Sequence, residues 1–599
     1  MNRETSIGID RPQPAAPSTS RWGSDAMASM LRALGFEFIA LCPGASFRGL
    51  HDSLVNHLGN TRPEMLLVLH EEHAVAIAHG YARVTGRPMA VALHSNVGLM
   101  HATMAIFNAW CDRVPMLLLG GVGPMDAMQR RPWVDWIHTA RDLGALVRGY
   151  TKWDDQPASV PAALEAMMRA CQITTTPPAG PVYVCLDAGL QEQVAGAAPL
   201  PAIERFRAAL AADPPAEAVA EAARALSGAA NPLILLGRVS NAADDWQRRV
   251  TLAERLGARV LTDLKTGATF PTTHRLHPHA PGMFVSAEAC ALIRESDVIL
   301  SLDWIDLGGA FRLACAGDWP KATIIQCSVD QYLHNGWSMD HQALPPADVS
   351  ILASPDRLVR ALLEQLPARE ANTTVHAQRR TAPDVAPANG SDSVLSIEAF
   401  AQIAVATLAA HAPSYIRLPI GWPGEQCRFA HPLDYIGFDG AGGLGSGPGM
   451  GIGASIALRG TGRLPVAILG DGDYLMGLTA LWTAVHYRIP LLVVVANNHS
   501  FFNDELHQER MAHVRGRPLE NRWIGARMSD PTLDLARLAE GQGEIGIGPV
   551  ADANALAGSL AIAVDKVKAG AVCVIDVHVA PEYARALSSA LLRHIPDAR

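Results

Sequence analysis

Two short polar clusters, each closing an apolar run, carry recognisable chemistry in this chain. Val466 to Leu469 ends at Gly470-Asp471-Gly472, with Asp473 next, and Leu491 to Ala496 ends at Asn497-Asn498. A helix N-terminus approached through glycines presents free N–H groups and a partial positive charge, which suits a diphosphate. Asp471 and Asn498 supply hard oxygen ligands, fitted to Mg²⁺ or Ca²⁺ and poorly fitted to zinc. A metal held by one carboxylate and one amide would bridge protein and phosphate. Between the clusters, Leu475, Leu478, Leu481, Trp482 and Val485 recur at helical spacing, and Ile489-Pro490 breaks the helix. The glycines permit a tight turn after the first run. The result is strand, turn, helix, strand and loop: one parallel βαβ unit whose polar residues lie at the carboxyl ends of its strands, where ligands of such sheets bind.

A second cluster, His70-Glu71-Glu72-His73, stands between the apolar run Met65 to Leu69 and a helical stretch from Ala74 to Val84. Acids favour the first turn of a helix, so taken alone the pair reads as a solvated helix start. His94 closes the run Met89 to Leu93, where an imidazole can either be bonded structurally or exchange protons near neutral pH. His70, His73 and His101 show no metal spacing supported by a third ligand and are expected to be structural.

The GDG and NN motifs together resemble the cofactor motif of thiamine diphosphate (ThDP) enzymes. The resemblance implies Mg²⁺ held by Asp471, Asn498 and the main-chain oxygen of Ser500, with Gly470, Gly472 and Asp473 beside the diphosphate. Asp473 departs from the small residue often found there. In the family, a glutamate nine residues before the glycine of GYA touches the aminopyrimidine; counting back from Gly80 gives Glu71. A carboxyl in a mostly apolar pocket can share a proton with the ring nitrogen and so favour removal of the cofactor's C2 proton. Glu72 keeps the solvated reading. LHSNVGLMHATMAIFNAW (93–110) resembles benzoylformate decarboxylase more than acetolactate synthase, which implies that His94 faces the substrate and exchanges protons with its oxygens. GGLGSGPGMGIG (442–453) resembles the glycine-rich segment under the cofactor; Gly443 and Met450 are assigned there, and Gly421 in IGWPG to the diphosphate. The family's cofactor lies between the first domain of one subunit and the third of its neighbour, which implies a homodimer or homotetramer.

The elements that would position these residues form a three-domain α/β chain of doubly wound parallel sheets, termed by resemblance pyrimidine-binding, central and diphosphate-binding. Residues 1–20 read as a polar tail and 21–191 as the first domain; 201–367 form the central domain, 373–392 a linker without periodicity and 393–599 the third domain. A length of 599 residues suits about three or four domains. Hydrophobic content of 49% with 18% charged residues fits a well-buried enzyme, and a net charge of −9 leaves no electrostatic footprint for nucleic acid. Nine scattered cysteines without CxxC are expected to be reduced core residues. With no signal-peptide core near the start and no apolar run of about 18 residues, the expected address is the cytoplasm, with no membrane contact. Asp303-Trp304-Ile305-Asp306 after Leu302 departs from the FAD-binding acetolactate synthases and argues against FAD. The resemblance favours decarboxylation of a 2-oxo acid with an apolar side chain, with Phe47, Trp422 and Phe501 as pocket candidates. An acetolactate-synthase-like carboligase and a ThDP-dependent C–C lyase or hydrolase without CO₂ release are the alternatives. Residues 501–527 match no substrate segment.

Overall fold

Apolar runs bounded by glycine, proline or polar residues become the strands of three parallel sheets in the computed structural model, which describes residues 7–13, 20–196, 200–209, 211–330, 343–367 and 394–583. The first sheet has β1 (Phe38–Leu41), β2 (Glu64–Leu67), β3 (Met89–His94), β4 (Met116–Val122), β5 (Asp154–Asp155) and β6 (Pro181–Asp187) in the order β2-β1-β3-β4-β6-β5. The second has β7 (Pro232–Leu236), β8 (Arg259–Thr262), β9 (Val298–Leu302), β10 (Thr323–Ser328) and β11 (Val349–Leu352) in the order β11-β10-β9-β7-β8. The third has β12 (Pro413–Arg417), β13 (Leu464–Gly470), β14 (Leu491–Asn497), β15 (Ile545–Val550) and β16 (Val572–His578) in the order β12-β13-β14-β16-β15. Both faces of such sheets are covered, so central strands such as β14 read as unbroken apolar runs.

Period-two alternation assigns the faces. Phe38 and Ala40 of β1 enter one core while Ile39 and Leu41 enter another. In β13, Ala467 and Leu469 share a core with Leu93 and Ile106 of the first domain, whereas Val466 and Ile468 share one with Ile234 and Leu300 of the central domain. The third sheet is thus packed against both other domains.

The closest meeting of first and third domains is a crossing of two helices, Glu71–Thr85 and Ser446–Leu458. A Cβ on Gly453 would stand 1.8 Å from the Ile77 carbonyl oxygen, and one on Gly80 would stand 2.1 Å from that of Met450. Only glycine permits backbones this close. The crossing fixes the orientation of the helix that begins with Glu71.

Three local expectations change. Within the 1–20 tail, residues 7–13 are docked: the Ile7 and Gly8 amides donate to Glu64 at 2.7 and 2.6 Å, and the Tyr487 hydroxyl donates to Asp10 at 2.7 Å. The helix after GDG is interrupted, running Asp471–Gly477, then a 3₁₀ turn at Leu478–Ala480, then Leu481–His486. The break follows Gly477, whose Cα lies against the Gly445 carbonyl, so a Cβ there would meet it at 2.2 Å. Neither glycine of GDG has positive φ; Gly472 instead makes room for the Phe501 ring, which a Cβ would meet at 2.7 Å. The 373–392 linker lies outside the described residues. Asp303 of the central domain accepts from Arg113 of the first at 2.5 Å, a bridge between domains. Among the described residues no helix is long and apolar enough to cross a membrane.

Candidate active site

The ends of β13 and β14 stand side by side, with Gly470 paired to Ala496, and this register brings the GDG and NN clusters together. Asp471 Oδ2 accepts the Ser500 amide at 3.1 Å, and Asn498 Oδ1 accepts the same amide at 3.0 Å. His499 between them has φ 56°, the left-handed bend that turns the chain back after the strand. Asp471 Oδ1 takes the Gly472 amide at 2.9 Å. Burial pushes this carboxyl up to about 6, against the pull of those amides. A buried carboxylate held by backbone amides, beside an amide oxygen, is a hard-oxygen set fitted to a divalent cation. A cavity of about 250 Å³ opens over it, lined by Gly421, Gly470, Asp471, Gly472, Asn498 and Ser500.

Asp473 also borders the cavity, but its bonds run into the protein. Its Oδ1 accepts the Gly445 amide at 2.7 Å and the Gly447 amide at 3.4 Å, and its Oδ2 lies 2.9 Å from Arg417 Nε. Arg417 is itself buried and also binds Asp439 and, at 2.9 Å, Ser446 Oγ. This carboxylate braces the glycine-rich turn and helix start beneath the cavity, which accounts for the extra acid in the motif. Burial raises its pKa while the Arg417 charge opposes the rise.

The other cluster sits at the carboxyl edge of the first sheet. Glu71 starts its helix with 6% exposure, and Oε2 lies 3.1 Å from His101 Nδ1. Gly98 leaves room for that carboxylate, since a Cβ there would approach Glu71 Oε1 to 2.9 Å. The Cys42 thiol, pushed up to about 11 by burial and then by the Glu71 charge, lines the same corner. His94 is close enough for its pKa to feel the Glu71 charge; burial first and His138 second lower it. Its Nδ1 accepts the Ser46 amide at 3.4 Å and lies 2.9 Å from Ser46 Oγ, which leaves the proton of the neutral ring on Nε2. The His138 ring stands 4.8 Å from it, and His138 Nδ1 is buried without a hydrogen-bond partner.

The structure therefore gathers two groups: Asp471, Asn498, Ser500, Gly421, Gly470, Gly472 and Asp473 around one cavity, and Glu71 with His94 at another edge. No hydrogen bond or ion pair joins the two groups among the described residues. Met450 does not reach the cavity: it is fully buried in the helix crossing. The Gly443 amide donates to Asn108 Oδ1 at 3.3 Å and its carbonyl accepts from Asn108 Nδ2 at 3.4 Å, while its neighbour Leu444 lines the cavity. Glu72 stands in the first turn of its helix, half-buried rather than fully solvated, and burial and then the Asp473 charge raise its pKa. Of the apolar candidates, Phe501 lines the cavity, Phe47 packs on the His94 ring at 6.4 Å, and Trp422 is a core residue packed edge-on against Phe400. Ser46 and His138 were not singled out from sequence; PGAS after a strand and a histidine in a loop carry no spacing signal.

Comparison with known proteins agrees with this layout. Three family models match: the thiamine pyrophosphate enzyme N-terminal TPP binding domain over residues 21–143, the central domain over 219–362 and the C-terminal TPP binding domain over 420–577. The chain is 27% identical over 451 residues to benzoylformate decarboxylase of Pseudomonas aeruginosa, covering 73% of this chain and 79% of that one. It is 25% identical over 518 residues to the acetolactate synthase large subunit of Corynebacterium glutamicum, covering 82% and 76%. In fold it matches the thiamine diphosphate-dependent 4-hydroxybenzoylformate decarboxylase of Rhodococcus jostii RHA1 with a TM-score of 0.74, 21% identity and coverage of 94% and 99%. A model matched to each of the three sheets, in the order in which the chain builds them, makes this protein a member of the thiamine pyrophosphate-dependent enzymes, a family with both decarboxylases and carboligases.

Proposed function

We propose that the chain is a Mg²⁺-dependent ThDP decarboxylase of a 2-oxo acid, akin in reaction to benzoylformate decarboxylase. The observation that carries this reading is the His94 ring at the end of β3, held by Ser46 so that Nε2 bears the proton, beside Glu71 and His138. A neutral imidazole so held would donate its Nε2 proton to a substrate oxygen and take it back from the same atom. Asp471, Asn498 and Ser500 would hold Mg²⁺, and the amides and glycines around them the diphosphate. When bound, the cofactor supplies the electron sink for loss of CO₂. Leu444, which lines the cavity, would contact the cofactor from the glycine-rich segment, as Met450 of the same segment would not. Glu71 would share a proton with the pyrimidine ring nitrogen from a buried position that keeps water from competing. Phe47 and Phe501 favour an apolar substrate side chain.

The Glu71 group belongs to the first domain and the Asp471 group to the third, with no hydrogen bond or ion pair joining them among the described residues, which supports a site shared between subunits of a homodimer or homotetramer. Exposed Trp133 and Trp136 near His138, and Met476, Trp523 and Ile524 on the third domain, are apolar surface that such pairing would cover. Mixing inactive Glu71→Gln and Asp471→Ala subunits should then restore part of the activity, and a fully active monomer by sedimentation would exclude the shared site. Nine free thiols suit a reducing, cytoplasmic setting. The reaction itself is tested by CO₂ release and product analysis over a panel of 2-oxo acids. Aldehyde with stoichiometric CO₂ is the expected result; ligated hydroxyketone as the main product would instead make the enzyme a carboligase, and turnover without CO₂ would exclude both.

A further inference from the structure

His70 and Glu71 open one helix and His101 lies in the second turn of another, a pairing that sequence spacing does not connect, yet their ligand atoms all lie within 4.8 Å of one another. We propose that these three side chains form a binding site for a borderline transition-metal ion such as Zn²⁺ or Co²⁺, distinct from the oxygen site at Asp471. The donor set is two imidazoles and one carboxylate, a set that zinc accepts in tetrahedral geometry with one position left for water. Softer imidazole nitrogen discriminates it from the all-oxygen set of Asp471, Asn498 and Ser500, which suits Mg²⁺.

The geometry is close to what an ion needs. His101 Nδ1 already stands 3.1 Å from Glu71 Oε2, about the 3.4 Å that separates two ligands on a tetrahedral zinc. His70 Nδ1 accepts the Glu72 amide at 3.2 Å, which fixes that ring and leaves Nε2 as its ligand atom. The His70 and His101 rings lie 4.8 Å apart, with planes 18° from parallel, so the two imidazoles stack beside the Glu71 carboxylate. Closing the widest gap falls to His101, whose side chain is 50% exposed and can turn, while Glu71 and His70 are held by their surroundings. Half-exposure of His101 also gives an ion from solvent its way in.

The ion would take the carboxylate that the proposed mechanism gives to the pyrimidine ring. Metal and cofactor activation would therefore exclude one another at Glu71, and the site would be inhibitory; this consequence, unlike the binding itself, rests on the function proposed above.

Titration of the ThDP-free full-length protein with Co²⁺, in saturating Mg²⁺ to fill the oxygen site, tests the proposal through the visible absorption of bound Co²⁺. One Co²⁺ per chain, displaced by Zn²⁺, is expected. His101→Gln, which keeps size and polarity, should weaken binding by about 10- to 100-fold or more, as should His70→Ala, while Asp471→Ala should leave it unchanged. Circular dichroism would verify that each variant is folded. Absence of saturable Co²⁺ binding, binding unchanged in His101→Gln, or binding lost only in Asp471→Ala would overturn the site. Zn²⁺ should also slow C2 proton exchange of bound ThDP in the wild type and not in His101→Gln. If Co²⁺ binds as expected but Zn²⁺ leaves exchange untouched, the site stands and the assigned role of Glu71 falls.

Discussion

Removing the Asp473 carboxylate would strip the turn beneath the cavity of its central acceptor. Asp473→Ala deletes the ion pair with Arg417 Nε at 2.9 Å and the bonds from the Gly445 and Gly447 amides. Breaking a buried ion pair costs about 3–5 kcal/mol. Arg417 keeps Asp439, so the loss should fall at the lower end, about 3 kcal/mol. For a cooperative unit the size of the third domain, each kcal/mol is worth roughly 2–4 °C, so its unfolding transition should drop by about 6–12 °C. Calorimetry of the ThDP-free protein reads this directly. Asp473→Asn keeps an oxygen for the Gly445 amide and should lose about half as much. A shift under about 2 °C, below 1 kcal/mol, together with weakened ThDP binding would refute the brace and return Asp473 to direct contact with the diphosphate.

Other outcomes follow from the same structure. Asp471 must ionise to bind a cation, and its carboxyl sits at about 6, so apparent Mg²⁺ affinity measured by calorimetry should fall about tenfold per pH unit below that value and level off above it. Glu544 is buried with neither carboxyl oxygen hydrogen-bonded among the described residues, and burial pushes it up to about 8 from 4.5. A raised folded-state value means its contribution to stability is fully present below about 4.5 and lost as pH rises toward 8; Glu544→Gln should flatten that decline in a pH series of unfolding midpoints. Gly453→Ala places a methyl 1.8 Å from the Ile77 carbonyl, which neither helix can avoid without moving, and should cost more than the 1–3 kcal/mol typical of overpacking. Proteolysis and calorimetry would register it as uncoupling of the first and third domains.

What could be read from sequence was whatever local pattern determines. The valine-rich run before Asn497, the apolar run before GDG and the βαβ order between them correspond to β13, β14 and their register. Glu71 and His94 could be placed at strand ends because strand ends were legible. What could not be read depends on partners far along the chain. Asp473 looked anomalous because its partner Arg417 lies 56 residues earlier, at the end of β12. His101 looked isolated because Glu71 meets it only through the packing of two helices across Gly98. Glu72 looked solvated because the Asp473 charge that acts on it belongs to the third domain, 401 residues along the chain. Met450 was attractive by type, yet the glycine crossing turns that position into the core, and the less conspicuous Leu444 faces the cavity.

In the proposed reaction two groups divide the work: Glu71 would activate the cofactor and His94 would act on the substrate. The direct measurement is C2 proton exchange of bound ThDP, followed by rapid quench and NMR, in Glu71→Gln and His94→Ala without substrate. Glu71→Gln should slow exchange even though no substrate is present. His94→Ala should exchange near the wild-type rate yet lose about 10²- to 10⁴-fold in CO₂ release, the usual worth of a positioned proton transfer. Exchange slowed equally in both variants, or normal turnover of every accepted 2-oxo acid by His94→Ala, would contradict the division.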